Sequence, residues 1–261
     1  AFDLSDDGKF LAFLKSWKHR YNLFVIPVSD SLDLSQAKQI TFLKDQQVDS
    51  FFWKGNSLFY FSDFGGDEND HLYLVEDLSD PHTVDLTPFD GVKTCLVDNC
   101  VYQPNEILIS MNKRDPRVFD VFRLNLIDKS LTLVYENHEE ALGFVADHLG
   151  KLRVAIGTAG TDNFLMYRES ESEPFWKSRR WSFRENFGVI QFDWDNKNLL
   201  VSSNISRDKN AIFLYDPVSD VFLKELYSDP EVDAGHVLIS ESRRLILGFS
   251  CYRDKFEPVF T

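Results

Sequence analysis

Six short, bulky apolar runs recur along this chain of 261 residues at nearly constant spacing. KFLAFL from Lys9, SLFYFS from Ser57, EILISM from Glu106, LRVAIG from Leu152, NLLVSS from Asn198 and RLILGF from Arg244 begin 48, 49, 46, 46 and 46 residues apart. A repeat of this length is one supersecondary unit that cannot bury its apolar faces alone and must stack on copies of itself. Each run is followed by a polar loop and a second run: NLFVIPV, HLYLVEDL, DVFRLNL, NFLMYRE and AIFLYDPV. A third comes next (AKQITFL, HTVDLTPF, SLTLVYE, PFWKSRRW, VFLKELY), and a fourth leads into the following repeat (VDSFFW, VKTCLVD, ALGFVAD, FGVIQFDWD, HVLIS). Four short strands per repeat make a propeller blade. The sequence therefore predicts an all-β chain, a β-propeller of four-stranded antiparallel blades, with five to six blades visible and repeats starting near 9, 57, 106, 152, 198 and 244.

The runs are rich in Val, Ile, Phe, Tyr and Leu, which fit a pleated, half-buried surface. Turn signals at Asp7-Gly8, Gly65-Gly66 and Asp90-Gly91 separate them. A helical stripe can be drawn over residues 134–147, but its flanks keep the strand phase of the repeat. With 43% hydrophobic residues and 24 Phe, a large packed core is expected. Residues 2–5 read as the end of a strand belonging to the first blade, and RLILGFSCYRDKFEPVF begins a sixth repeat that stops near its second hairpin strand. The expectation is a propeller cut at both ends and read as a single domain over 1–261.

A net charge of −14 argues against nucleic acid as a partner, because that affinity comes from Lys and Arg neutralising phosphates. The same field suits cationic peptides or free amino termini, and keeps an aromatic-rich domain in solution. No stretch approaches the 18 or more uncharged apolar residues of a membrane span, and the chain opens on AFDLSDDGKF rather than a basic and then an apolar segment. No membrane partner and no signal peptide are expected in it. Three cysteines, Cys95, Cys100 and Cys251, form no disulfide framework, which favours reduced thiols and a cytoplasmic setting.

The opening DLSDDGKFLAFL, residues 3–14, resembles the S-P-D-G-K motif of TolB-like propellers and of the amino-terminal propellers of prolyl oligopeptidase family serine peptidases, with Asp6 where proline is usual. WD40 repeats are disfavoured because the sole Trp-Asp pair, Trp194-Asp195, falls in the wrong strand. QITFLKDQQVDSFFW, LFYFSDFGGDENDHLYLV, DLTPFDGVK, ILISMNKRDPRVFDVFRLNL and SSNISRDKNAIFLYDP are similar to the propeller of bacterial dipeptidyl aminopeptidase and acylaminoacyl-peptidase members of that family. The resemblance spans nearly the whole chain. It implies further blades, then an α/β-hydrolase domain with a Ser-Asp-His triad, and a propeller that gates peptide access to it. The other reading is a TolB-like propeller that binds a protein or peptide with no enzyme attached.

Catalytic machinery is not expected in the chain itself. A nucleophile elbow needs G-x-S-x-G at a strand-to-helix turn; the nearest approach, Gly248-Phe249-Ser250-Cys251-Tyr252, lacks the second glycine and lies in an expected strand. The six histidines are dispersed without metal-ligand spacing, and Gly157-Thr158-Ala159-Gly160 lacks the lysine of a phosphate loop and reads as a hairpin loop, so no metal or cofactor is expected. Two loops remain as candidates for contact with a peptide or with the hydrolase domain. One is the acidic loop with Asp63, Asp67, Glu68 and Asp70 around Gly65-Gly66, whose spacing is not that of an EF-hand. The other is Asn112–Arg117, where Lys113, Arg114 and Arg117 gather three cations in an acidic chain that could pair with carboxylates. Glu139-Glu140 invites comparison with the amino-terminus-binding glutamates of dipeptidyl peptidases, but the surrounding NHEEALG does not match their motif and the role is not transferred.

Overall fold

A computed structural model describes residues 1–29, 33–138 and 141–261; Glu139 and Glu140 lie outside the described residues. The described chain is built from six antiparallel sheets. The first holds β1 (Phe2–Leu4), β2 (Phe10–Trp17), β3 (Arg20–Pro27) and β4 (Lys38–Gln39), and the second β5 (Ser50–Lys54), β6 (Ser57–Ser62), β7 (His71–Val75) and β8 (Thr83–Asp85). The third holds β9 (Thr94–Asp98), β10 (Glu106–Asp115), β11 (Val118–Asn125) and β12 (Leu131–Tyr135). The fourth holds β13 (Ala141–Ala146), β14 (Leu152–Ala159), β15 (Asp162–Tyr167) and β16 (Trp176–Ser182), and the fifth β17 (Phe187–Phe192), β18 (Leu199–Ser203), β19 (Ala211–Asp216) and β20 (Val221–Tyr227). The sixth has three strands, β21 (Ala234–Ser240), β22 (Leu245–Tyr252) and β23 (Phe256–Phe260). A single 3₁₀ turn, Leu34–Gln36, capped by the Asp33 side chain on Ser35 N, is the one helical element among the described residues. The chain divides into two compact units, 1–137 and 138–261, each with three sheets.

In every sheet the strands pair in chain order, the pattern of a β-propeller blade. The first apolar run of each repeat is the second strand of its sheet, and the run that leads into a repeat is the first strand of that next sheet. Turn chemistry sets the hairpins. β2 and β3 pair without interruption from Phe10↔Pro27 to Trp17↔Arg20, and Lys18 and His19 at φ 50 and 67° close them in the left-handed turn whose twist matches the strands. The described residues of 134–147 contain the end of β12 and β13, not a helix. Two expected loops turn out to be largely strand: β10 runs through Asn112 to Asp115, and β14 reaches Ala159, where Gly160 at φ 65° makes the turn. In both, cross-strand hydrogen bonding overrides local composition, although the β10 register shifts between Met111 and Asp115.

Packing lies between neighbouring sheets of each unit. In the first unit Leu23, Val25, Trp53, Leu58 and Tyr60 form one cluster, and Phe59, Phe61, Leu72, Ile107 and Ile109 the next. Residues 58 to 61 thus alternate between the two faces of the second sheet, as a period of two requires, and both faces are covered. In the second unit Leu165, Tyr167, Phe187, Phe192 and Tyr215 join the fourth and fifth sheets, and Ile212, Ala234 and Phe249 the fifth and sixth. Each such side chain taken fully out of water contributes about 1.5–3 kcal/mol. A repeated polar device closes the outer strands: Thr41 Oγ1 accepts from Leu23 N and Thr87 Oγ1 from Leu72 N, both at 2.9 Å.

Candidate functional site

The loops that follow β4, β6 and β8 converge at one end of the first unit with the tip of the β2–β3 hairpin. The acidic loop 63–70 is self-organised. Asp63 Oδ2 accepts from Glu68 N at 3.2 Å, Asp67 Oδ1 from Asn69 N at 3.0 Å, and Gly65, Gly66 and Glu68 all hold positive φ. The hydrogen bonds from Asn69 hold the Asp67 carboxyl below the usual carboxylate range. Lys93, in the segment entering β9, ties this loop down: its Nζ donates to Glu68 O at 3.0 Å and meets Asp70 Oδ2 at 3.2 Å.

The loop walls three cavities. Outside it, a cleft of about 450 Å³ is lined by Arg20, Asp45, Asp49, Asp63, Glu68, Asp70 and Lys93. Five carboxylates face two cations there. A second chamber of about 340 Å³ shares Asp49 and Asp70 with the cleft and is otherwise walled by Ser50, Phe51, Phe52, Phe61, Thr94, Cys95 and Leu96. Partial dehydration, then the neighbouring Asp70 carboxyl and the charge of Asp63, raise the Asp49 pKa. On its other side the loop presents Phe64 and Asp67 to a third cavity, also about 340 Å³, with His71, Tyr73, Asp85 and Asp90. There His71 Nδ1 and Asp85 Oδ2 are 2.7 Å apart, and burial followed by the Asp85 charge pushes the Tyr73 hydroxyl up to about 12.

The three cations of the 112–117 hairpin part company. Arg114 makes a bidentate pair with the buried Asp120, Nε and Nη2 each at 2.9 Å, and also donates to Asn137 O. Arg117 folds back on Asp115 at 2.9 Å, and Lys113 Nζ lies 3.6 Å from the centre of the Phe89 ring. The hairpin is nonetheless joined to the acidic loop, since Asn112 Oδ1 accepts from Lys93 N at 2.7 Å and Asp70 O from Thr94 N at 2.8 Å. Asp67, Glu68, Asp70 and the 112–117 hairpin therefore stand at the same end of the unit. Asp45, Asp49, Lys93 and Thr94 join them without a motif of their own; only the blade phase, which places the ends of consecutive blades side by side, could have pointed to them. Among the described residues no group of three or more His, Cys, Asp or Glu is arranged to hold a metal ion, and no helix is long and apolar enough to cross a membrane.

No family model matches the sequence. Dipeptidyl aminopeptidase BIII of Pseudoxanthomonas mexicana is 32% identical over 146 residues, which cover 55% of this chain and 21% of that protein. Among solved structures, TolB from Acinetobacter baumannii superposes with a TM-score of 0.51 at 13% identity, over 84% of this chain and 52% of that one. Prolyl oligopeptidase B from Galerina marginata superposes with a TM-score of 0.60 at 10% identity, over 99% of this chain and 34% of that one, and a puromycin hydrolase scores 0.60 at 10% identity over 87% and 39%. The chain thus spans about a fifth to a half of the length of these relatives. The structural likeness carries the fold, blades of the kind that build the propellers of TolB and the prolyl oligopeptidases, and over 146 residues the chain is similar in sequence to dipeptidyl aminopeptidase BIII.

Proposed function

We propose that this propeller gates the entry of peptides to the active site of an attached α/β-hydrolase domain of a serine peptidase. The sequence match to a dipeptidyl aminopeptidase, falling on a blade-built chain without a nucleophile elbow, supports this reading. Ser250 sits in β22 with its hydroxyl bonded to the backbone of His236, a structural position. The end of the first unit that carries Asp67, Glu68 and Asp70 beside Lys113 and Arg117 is the proposed contact surface for peptide or hydrolase domain; Arg114 contributes by holding the hairpin to Asp120.

The parent reading frame tests the reading. It is expected to encode G-x-S-x-G followed by Asp and His; a stop codon soon after the last blade sinks it. The 261-residue chain alone is expected not to hydrolyse chromogenic dipeptidyl substrates. In the full polypeptide, shortening the 63–70 loop is expected to raise kcat/KM for long peptides relative to dipeptidyl substrates, and an unchanged ratio counts against gating. The likeness to TolB favours a second reading, a peptide- or protein-binding propeller with no enzyme, which the stop codon would support.

A further inference from the structure

The third cavity of the first unit holds a histidine that is committed on one side only. His71, the first residue of β7, is 9% exposed, and its Nδ1 lies 2.7 Å from Asp85 Oδ2, while Asp85 Oδ1 accepts from Thr87 N at 2.8 Å. A carboxylate on Nδ1 keeps a proton there and, in the neutral imidazole, leaves Nε2 as a lone-pair acceptor. Among the described residues Nε2 has no hydrogen-bond partner, it is not sealed from solvent, and the ring stands in the cavity wall. The Tyr73 hydroxyl, in the same wall, is likewise open and without a partner among the described residues. Around them lie Asp67, Asp90, Pro88 and Phe64, whose ring is 73% exposed, and no Lys or Arg lines the cavity among the described residues. A buried imidazole fixed by a carboxylate on one nitrogen and open on the other is oriented to receive a hydrogen-bond donor.

We propose that this cavity binds a guanidinium group. His71 Nε2 and the Tyr73 hydroxyl call for a hydrogen-bonding ligand independently of the carboxylates, and the carboxylates set its charge. A guanidinium is planar, presents its N–H donors in a fixed fork and stacks on aromatic faces. The cavity offers His71 Nε2, Asp67 and Asp90 as acceptors beside the rings of Phe64 and Tyr73, which attract a cation through their faces. A guanidinium is also more weakly hydrated than an ammonium, which suits a wall built in part from Phe64, Tyr73 and Pro88. The volume of about 340 Å³ takes the planar head with its methylene stem. A divalent metal is a poorer match, because among the described residues no group has a metal-ligating arrangement. Asp67, Asp85 and Asp90 repel an anion, and an uncharged apolar ligand would leave Nε2 and the Tyr73 hydroxyl unpaired. The arginine side chain of a peptide and a small free guanidine present the same group. The inference needs no attached hydrolase, so it stands independently of the peptidase reading.

Isothermal titration of the chain with three probes tests it: N-acetylarginine amide, methylguanidine, and N-acetylcitrulline amide, which keeps the shape of the arginine side chain without its charge. Saturable binding of N-acetylarginine amide, of methylguanidine, or of both supports the site, and the pattern tells a peptide side-chain site from a site for a small free guanidine; the citrulline derivative is expected not to bind. Phe64→Ala, a change at an exposed ring that leaves the core intact, is expected to weaken binding by about threefold or more, the loss of one cation–ring contact. His71→Phe, checked for an unchanged circular dichroism spectrum, is expected to weaken it by about tenfold or more, the loss of one hydrogen bond to a charged group. In nitrogen NMR of the unaltered chain, the His71 Nε2 resonance is expected to move on saturation with the guanidine that binds. No saturable binding of either guanidine, equal binding of the citrulline derivative, a stationary Nε2 resonance, or affinity unchanged in Phe64→Ala or His71→Phe overturns the proposal.

Discussion

Asp120 is 2% exposed and accepts from Arg114 Nε and Nη2 and from Asn137 N, so one carboxylate fixes both the β10–β11 hairpin and the end of the first unit. Replacing it by alanine leaves the buried Asn137 N–H without its acceptor, and Asp120→Ala is expected to cost about 2–3 kcal/mol in urea unfolding. Arg117, whose pair with Asp115 lies at the surface, is expected to behave differently: Arg117→Ala leaves the unfolding midpoint where it was. The sequence groups these cations in one loop, and only the structure tells a structural arginine from a surface one. The cysteines separate in the same way. Burial, followed by the Asp98 charge, pushes the Cys100 thiol up to about 12, and burial also raises Cys95. The thiolate is the reactive form. Iodoacetamide at mildly alkaline pH is therefore expected to spare Cys100 in the folded chain and to label all three cysteines after unfolding; mass spectrometry showing Cys100 labelled at the rate of a free thiol contradicts this.

At the scale of strands, the apolar runs were legible because period-two patterning of Phe, Leu, Val and Tyr is a local property. Their assignment to sheets was less so. VDSFFW reads as a strand wherever it pairs, and its place as β5, first in the second sheet, is fixed by pairing Ser50↔Phe61 through Lys54↔Ser57. The 112–117 segment reads as a loop because of Pro116 and its charges, yet strand pairing carries β10 to Asp115. Close approach of backbones gives a sharp test at Gly248 in β22. A Cβ there would lie 2.3 Å from Val259 O and 2.9 Å from Phe260 Cα, so Gly248→Ala must push β23 away. The expected cost is about 1–3 kcal/mol. Hydrogen exchange should show lost amide protection in β23 with the first unit unchanged; retained protection would falsify the close approach.

For the whole molecule, charge governs the response to acid. Hydrogen bonds from Lys9 and Ser5 hold the Asp7 carboxyl down to about 2, and those from Arg117 do the same for Asp115. Both values lie below the ordinary 3.8, so the folded state binds protons less readily than the unfolded one. The stability they contribute is complete above the ordinary value and is lost as the pH falls through about 2. Both carboxyls lie at the surface, where solvent screens their partners, and the effect of each is small. The double variant Asp7→Asn, Asp115→Asn is expected to flatten the acid limb of the urea midpoint plotted against pH between about 4 and 2, with little change near neutrality. An acid limb identical to that of the parent chain assigns the sensitivity to other groups.

The sequence by itself determined the repeat, the all-β class and the absence of a nucleophile elbow, because strand patterning, turn chemistry and motif spacing are properties of contiguous residues. It also named the acidic loop, whose glycines and carboxylates organise each other over eight positions. Tertiary structure decided which blade each strand joins, that Arg114 is committed to Asp120, and that Asp49, Asp70 and Thr94 share a cavity wall. Thr94 opens β9 of the third sheet, Asp70 ends the β6–β7 loop of the second, and Asp49 ends the connection from β4 to β5. They meet because blades stack at a fixed phase, and stacking is a property of paired surfaces that no single segment of the chain encodes.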